Sequence, residues 1–387
     1  MKSERYNVKL SDIAYFNPTE KLSKGTLAKK VAMDKLQPFC REIPSYEWKA
    51  FSGGTKFRNG DTIMARITPC LENGKVAKVS ILDENEIGFG STEYIVFRAK
   101  ENVDPDFLYY LICSPIVREP AIKSMVGSSG RQRVQTSVVE NLMISVPSLE
   151  EQRKIGSLLK ALDDKIALNN QINNNLEQQA TALMTNYCAS MSFTTELGQI
   201  MRFENGYAFQ SKSYLPIGKY RIITIKNVQD GKIDSQGAAF IDDVPQNMKA
   251  GCFLSIGDSL LSLTGNVGRV GIVYENNLLL NQRVAKFVPN RNELLPWLYY
   301  YFRLPSMKTS LETIAKGTAQ QNLSPVETLK LEVSFEEESA RELSKVLQPM
   351  YDAEVQNSIE SLRLSQLRDS LLPRLISGEL DVSDIEL

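Results

Sequence analysis

The sequence predicts an α+β protein: two tandem, pseudo-two-fold-related globular domains joined by two long helices that pair as an antiparallel coiled coil. Three observations lead there. The chain repeats itself once at long range. Each copy carries short β-prone runs set between turn residues. Each copy is followed by a long stretch with apolar residues at helical spacing.

In the repeat, Gly60-Asp61 returns as Gly257-Asp258, GKVAKV (74–79) as GRVGIV (268–273), and FLYYL (107–111) as WLYYY (297–301). GSS (127–129) returns as GTA (317–319), and ENLMISVPS (140–148) as ETLKLEVSF (327–335). The offset falls steadily from 197 to 187, so the second copy is shorter in its loops. A period of about 190 residues lies far above the roughly 20–50 of a solenoid repeat and marks two copies of a whole unit. A pseudo-two-fold molecule suits a partner with two similar halves.

Within the first copy, DTIMARI (61–67), KVAKVSIL (75–82) and TEYIVFRA (92–99) read as strands. Their counterparts are RIITIKNV (221–228), DSLLSLT (258–264) and RVAKFVP (283–289). Ser52-Gly53-Gly54 and Asn73-Gly74 punctuate them as turns. A short helix with Phe107, Tyr110 and Leu111 follows, and its twin carries Trp297, Tyr300 and Tyr301. This aromatic stripe is expected in the core and not as a platform for stacked bases.

The first long helix has a start signal: Pro147 ends a strand and Ser148-x-x-Glu151 forms a capping box. Behind it Ile155, Leu159, Leu162, Ile166, Asn169, Asn173, Leu176, Ala180, Leu183 and Tyr187 keep an unbroken 4-3 spacing, which is a coiled-coil seam. Asn169 and Asn173 cost stability there but can fix register. The second helix is expected to start at Ser334-x-x-Glu337 and to carry Leu343, Leu347, Met350, Val355, Ile359, Leu362, Leu364, Leu367 and Leu371. Pro349 is expected to kink it, and Pro373 and Gly378 to end it. The first helix leaves copy one and reaches copy two. By pseudo-symmetry the second returns, so the pair is antiparallel. The expected borders are a first domain at 1–147, a central helix at 148–192, a second domain at 193–334, and a C-terminal helix with an acidic tail at 335–387.

The net charge of −1 hides an uneven distribution. Residues 1–147 hold 21 Lys and Arg against 17 Asp and Glu, and residues 194–334 hold 15 against 12. Residues 148–193 hold 4 against 5, and residues 335–387 hold 5 against 12. Both globular copies are therefore mildly basic, as a nucleic-acid binder would be. The chain has no histidine, which excludes Ser-His-Asp and Cys-His nucleophiles and every His-ligated metal. Cys40, Cys70, Cys113, Cys188 and Cys252 form no Cys-x-x-Cys pair. No apolar run approaches the roughly 18 residues of a membrane span, and MKSERYNVKL is no signal peptide, so a cytoplasmic location is expected.

Enzyme motifs are poor. Gly265-Asn266-Val267-Gly268 is not a dinucleotide fingerprint, and Gly53-Gly54-Thr55-Lys56 lacks the spacing of a Walker A loop. Phe16-Asn17-Pro18-Thr19 lacks the second proline and the aromatic of the amino-methyltransferase motif Asn-Pro-Pro-Tyr. Asp34 with Glu47-x-Lys49 matches a nuclease metal site only loosely. A non-catalytic chain is expected, and an interaction scaffold with two docking heads is the alternative to a DNA reader.

Taken together, these residues resemble one family over essentially the whole chain: the specificity subunits of type I restriction-modification systems. In the first copy the resemblance rests on GDTIMARITPCLENGKVAKV, FGSTEYIVFR and MVGSSGRQRV, and at the junction on SVPSLEEQRKIGSLLKALDDKI. In the second it rests on GYAFQSKSY, IKNVQDGKI, GDSLLSLTGNVGRVGIV, LNQRVAKFV and KGTAQQNLS, and at the end on LRDSLLPRLISGEL. FEEESARELS departs from the family's Pro-Leu-x-Glu-Gln-x-x-Ile pattern. The resemblance implies two target-recognition domains, each reading one half of a split, asymmetric double-stranded DNA site, with the helices setting the unread gap. It implies docking of two modification (methyltransferase) subunits and, through them, of restriction subunits. S-adenosylmethionine, ATP and Mg2+ would belong to those partners, with no cofactor bound by this chain.

Polar side chains on turns are the expected DNA contacts. One group is the loop with Ser128, Ser129, Arg131, Gln132 and Arg133, twinned by Lys316, Thr318, Gln320, Gln321 and Asn322. A second is Arg66, Asn73 and Lys75, twinned by Asn266 and Arg269. A third is Ser91, Thr92 and Glu93, twinned by Asn281, Gln282 and Arg283. Glu93 can accept from cytosine or order a neighbouring arginine. Because the copies differ at these positions, the target is expected to be non-palindromic. A helix from 155 to 187 spans about 50 Å, which caps the separation of half-site centres near roughly 15 bp.

Overall fold

The computed structural model describes residues 5–128, 130–315 and 321–382. It contains two compact units, residues 1–167 with 363–387 and residues 168–362.

In the first unit, strands Ala14–Phe16, Tyr94–Ala99, Thr62–Ala65 and Val76–Lys78 form one antiparallel sheet in that order. A second sheet orders Glu47–Ala50, Leu27–Val31, Gly88–Gly90 and Lys56–Phe57, with Leu27–Val31 parallel to Gly88–Gly90. Thr62–Ala65 is buried along its whole length, which is why DTIMARI reads as a continuous apolar run. Alternate residues still enter different cores. Ile63, Ala77 and Val96 pack with Val31 and Phe57 of the second sheet. Met64, Val76, Ile95 and Phe97 pack with Phe107, Leu108 and Leu111 of the helix Pro105–Cys113. Asp104 starts that helix by accepting from the amides of Asp106 and Phe107.

The second unit repeats the plan. Met201–Asn205, Val284–Pro289, Ser259–Ser262 and Val270–Ile272 form the first sheet, extended at its edge by the parallel strand Gly231–Lys232. Phe240–Ile241, Tyr220–Ile223, Leu278–Leu280 and Phe253–Leu254 form the second.

Two of the sequence repeats have direct physical causes. Gly60 and Gly257 turn the chain at φ +87° and +89°, where a side chain would be strained. The following Asp61 and Asp258 carboxylates each accept from the amide three residues back, Arg58 and Ser255, at 2.8 Å. Asp61 also holds the Arg98 guanidinium through both oxygens, at 2.7 and 2.8 Å. The paired tyrosines are core residues, as expected, and their hydroxyls anchor each domain to a long helix. Tyr110 donates to Asp163 at 2.6 Å, and Arg368 donates to the other Asp163 oxygen at 2.6 Å. Tyr300 and Tyr299 donate to the two Glu354 oxygens at 2.7 and 3.2 Å, beside Arg303, which also pairs with Glu177. Burial raises the Glu354 carboxyl above its ordinary value, and the Tyr300 hydrogen bond opposes this.

The long helices span Leu149–Ser190 and Glu337–Ser377. In the first unit Ile155 and Leu159 are fully buried and share a core with Leu371, Leu372, Leu375 and Ile376. In the second, Asn169 donates to Glu360 at 2.8 Å, and Asn173 accepts from Asn357 at 2.8 Å. Further along, Tyr187 accepts from the Glu336 amide at 3.1 Å. Ascending numbers on one helix meet descending numbers on the other, so the pairing is antiparallel. Leu162, Ile166, Leu176, Ile359 and Leu362 are half-buried along the seam.

Four expectations about these helices are corrected. Leu367 is exposed, not on the seam; Arg368 takes the inward place because Asp163 neutralises it. Pro373 does not end the second helix, and Pro349 lies within it. Leu375 and Ile376 are held in the core, and Arg5 caps their carbonyls at 3.1 and 2.6 Å, so the helix continues to Gly378 at φ +77°. The second helix is capped by Glu336 and not by Ser334: its carboxylate accepts from Glu338 at 3.1 Å and Ser339 at 2.7 Å. The first does start at Ser148, whose hydroxyl accepts from Glu151 at 3.3 Å, but the Glu151 carboxylate is drawn to Arg5 instead of closing a capping box.

Candidate nucleic-acid interface

In the first domain the three expected groups converge. The Arg66 amide donates to the Glu93 carbonyl at 2.9 Å, and the Val134 amide to the Arg66 carbonyl at 2.8 Å. The Thr68 amide donates to the Gln132 carbonyl at 3.0 Å, and Ile67 bridges Arg133. The end of strand Thr62–Ala65, the turn Ser91–Glu93 and residues 132–134 therefore meet at one edge of the sheet. There Arg133 grips Glu93: Nη2 donates at 2.7 Å and Nε lies 3.0 Å from both carboxylate oxygens. The Arg133 hydrogen bond holds the Glu93 carboxyl below its ordinary value, and Glu93 in turn raises the exposed guanidinium. Glu93 is thus an orienter of Arg133 and not a free acceptor.

The other residues of this edge divide by environment. Arg66 turns partly inward and donates to the Val134 carbonyl at 3.0 Å. Lys75 donates to the Met33 carbonyl at 2.8 Å, while Asn73 is exposed on the intervening turn. The Ser91 hydroxyl accepts from the Glu93 amide at 3.1 Å, and Thr92 projects into solvent. Ser128 and Arg131 are exposed and Gln132 half-buried; Ser129 lies outside the described residues.

The second domain rebuilds the same frame. The Leu263 amide donates to the Arg283 carbonyl at 3.1 Å, and the Leu323 amide to the Leu263 carbonyl at 2.7 Å. The Gly265 amide donates to the Gln321 carbonyl at 3.3 Å, and Thr264 bridges Asn322. By these bonds Arg283 stands where Glu93 stands, and Asn322 where Arg133 stands. Arg283 and Thr264 both donate to the Asn322 side-chain oxygen, at 3.1 and 2.8 Å. That fixes the amide and leaves its NH2 group to donate outward. The sequence does not single out Thr264, although its place opposite Ile67 in the repeat is a signal. Gln282 and Asn266 are exposed, Asn281 is buried, and Arg269 donates to Gln229 at 2.9 Å. Lys316, Thr318 and Gln320 lie outside the described residues.

This arrangement presents two exposed edges with one backbone pattern and two hydrogen-bonding surfaces, which is what recognition of two different ligands requires. Among the described residues no group of three or more Cys, Asp or Glu is placed to hold a metal ion. No helix among them is long and apolar enough to cross a membrane.

A family model, the type I restriction modification DNA specificity domain, matches the chain twice, over residues 4–178 and 192–341. The specificity subunit of type I restriction enzyme HindI from Haemophilus influenzae is 24% identical over 427 residues, covering 88% of this chain and 89% of that protein. The specificity subunit of MjaIX from Methanocaldococcus jannaschii is 24% identical over 318 residues, covering 74% and 71%. The crystal structure of a type I restriction-modification S subunit from M. genitalium has the same fold, with a TM-score of 0.58 at 15% identity over 97% of this chain and 96% of that one. With two family matches that together span most of its length, the chain belongs to the specificity subunits of type I restriction-modification systems.

Proposed function

We propose that each domain reads one half of a bipartite, asymmetric DNA site and that the long helices set the gap between the halves. The chain docks two methyltransferase subunits and, through them, restriction subunits, and works in the cytoplasm. Adenine methylation, ATP use and cleavage belong to those partners, which hold the S-adenosylmethionine, ATP and Mg2+; this chain contributes recognition without catalysis.

One observation carries the reading: the same backbone frame holds Glu93 with Arg133 in one domain and Arg283 with Asn322 in the other. An arginine locked by a carboxylate offers guanidinium donors suited to guanine O6 and N7. A fixed amide beside an arginine offers a different donor set. Two unlike surfaces on one frame suit two unlike half-sites. The test is genome-wide mapping of N6-methyladenine in the host with and without this gene. A gene-dependent, split and non-palindromic motif is expected; a palindromic motif, or none that depends on the gene, contradicts the proposal.

A further inference from the structure

The two domains use one face of their second sheet differently. In the second domain this face is apolar and covered: Ile222, Ile241 and Leu279 pack beneath Phe209, with Tyr207 and Tyr214 alongside. In the first domain the register puts lysines at two of these places. Lys30 pairs with Phe89 as Ile222 pairs with Leu279, and Lys49 faces Ala28 as Ile241 faces Tyr220. The face opens there into a cleft of about 350 Å³ lined by Lys30, Lys49, Ser52, Gly53, Gly54 and Ser91.

The wall of this cleft is built for a ligand. Gly54, at φ +113°, packs so closely on the Gly90 carbonyl that a Cβ would overlap it. Thr55 staples the two segments: its carbonyl accepts from the Gly90 amide at 2.8 Å, and its hydroxyl donates to the Ser91 carbonyl at 2.9 Å. Gly53 faces open space. Among the described residues, the amides of Ser52, Gly53 and Gly54 donate to no protein acceptor, and Lys30 and Lys49 have no ion-pair partner. Glu47, opposite Lys30 in register, closes no pair with either lysine. Consecutive free amides beside two ammonium groups make an anion-binding concavity. The matching turn of the second domain, Ala250–Cys252, already has a carboxyl group in place, since Glu204 lies against Gly251.

We propose that this cleft is a DNA phosphate site of the first domain, with the Lys30 and Lys49 ammonium groups and the Ser52–Gly54 amides as its ligands, and that the second domain has no equivalent. The proposal rests on the reading of the domains as DNA readers. Its position supports phosphate over any smaller anion: Ser91 ends the cleft and begins the turn that carries Glu93, so a duplex on the reading edge has its backbone within reach.

The test uses the full chain assembled with its methyltransferase subunits and a duplex carrying the mapped site. The double variant Lys30→Ala/Lys49→Ala is expected to bind more weakly, with a log Kd against log salt slope shallower by about 1–2, and with base preference unchanged. Lys30→Arg/Lys49→Arg is expected to keep the wild-type slope and controls for folding. Wild-type affinity and slope in the alanine variant would overturn the phosphate site and leave DNA reading intact. An altered base preference at unchanged slope would make the cleft a base reader and overturn the assignment. A wild-type complex with no preference for the mapped duplex would remove the underlying reading, and the phosphate site with it.

Discussion

In the first domain the backbone groups of Arg66, Gln132 and Val134 frame a Glu93–Arg133 ion pair; in the second, those of Leu263, Gln321 and Leu323 frame Arg283 and Asn322. The turns, strand order and tyrosine anchors repeat, while the exposed side chains do not. The comparison separates the parts of the domain that must be conserved for folding from the parts free to vary for recognition. A strand edge held by backbone hydrogen bonds tolerates almost any exposed side chain, so one frame can carry two readers. The difference extends inward at a few places. Lys78 in the first domain occupies the register position of Ile272 in the second, and the basic cleft of the first is an apolar core in the second.

The anchors provide the harshest way to break the comparison. Asp163→Ala removes the acceptor of the Tyr110 hydroxyl and leaves Arg368 only the exposed Asp369, and should cost the first unit about 3 kcal/mol. Glu354→Ala leaves Arg303 its second carboxylate, Glu177, and should cost the second unit about 2 kcal/mol. Hydrogen exchange read separately over Pro105–Cys113 and Leu295–Arg303 checks that each loss stays in its own unit.

Next in size is a pH effect confined to the first domain. Burial brings the Lys78 ammonium down to about 8, although it donates to the Pro105 carbonyl at 2.5 Å. Between that value and the ordinary lysine value the unfolded chain binds more protons than the folded one, so stability rises with pH. The rise is at most about 1.4 kcal/mol per pH unit above pH 8. In urea unfolding at pH 7 to 9, Lys78→Met should lose this rise. The second domain, with Ile272 at that place, should not show it.

The smallest effect separates the helix caps. The Ser339 hydroxyl, with the amides of Ser339 and Glu338, holds the Glu336 carboxyl below its ordinary value, so its contribution is present above pH 4.5 and lost as pH falls below it. The Ser148 hydroxyl does not titrate. The difference in melting temperature between the native chain and Glu336→Ser should therefore shrink from pH 5 to about pH 3.

How much of this was legible in the sequence depends on the range of the interaction. The Gly-Asp turns, the buried strands and the start of the first helix are local, and their residue patterns announce them. The inward place of Arg368 is not local: it needs Asp163, about two hundred residues away in the chain. The continuation of the second helix through Pro373 likewise needs Arg5 at the other end of the protein. For the same reason the stripe of leucines pointed to Leu367, and Ser334 looked like a cap where Glu336 serves. At the candidate edge the residue types and their three groups were visible in the sequence, and the structure shows where the described ones lie. Their convergence, the Glu93–Arg133 pairing and the fixing of Asn322 by Thr264 depend on sheet register. Lys30 and Lys49 escape notice because only the pairing of residues 27–31 with 47–50 and 88–90 puts them on one face with the Gly53 turn.

The central claim is that the two edges read different halves of one site. It is tested most directly by mapping N6-methyladenine in hosts carrying the native chain, Arg133→Ala or Asn322→Ala. The account predicts that Arg133→Ala relaxes or changes bases in one half of the motif alone and that Asn322→Ala does so in the other half alone. Changes by both variants in the same half, or equal loss across both halves, would contradict it.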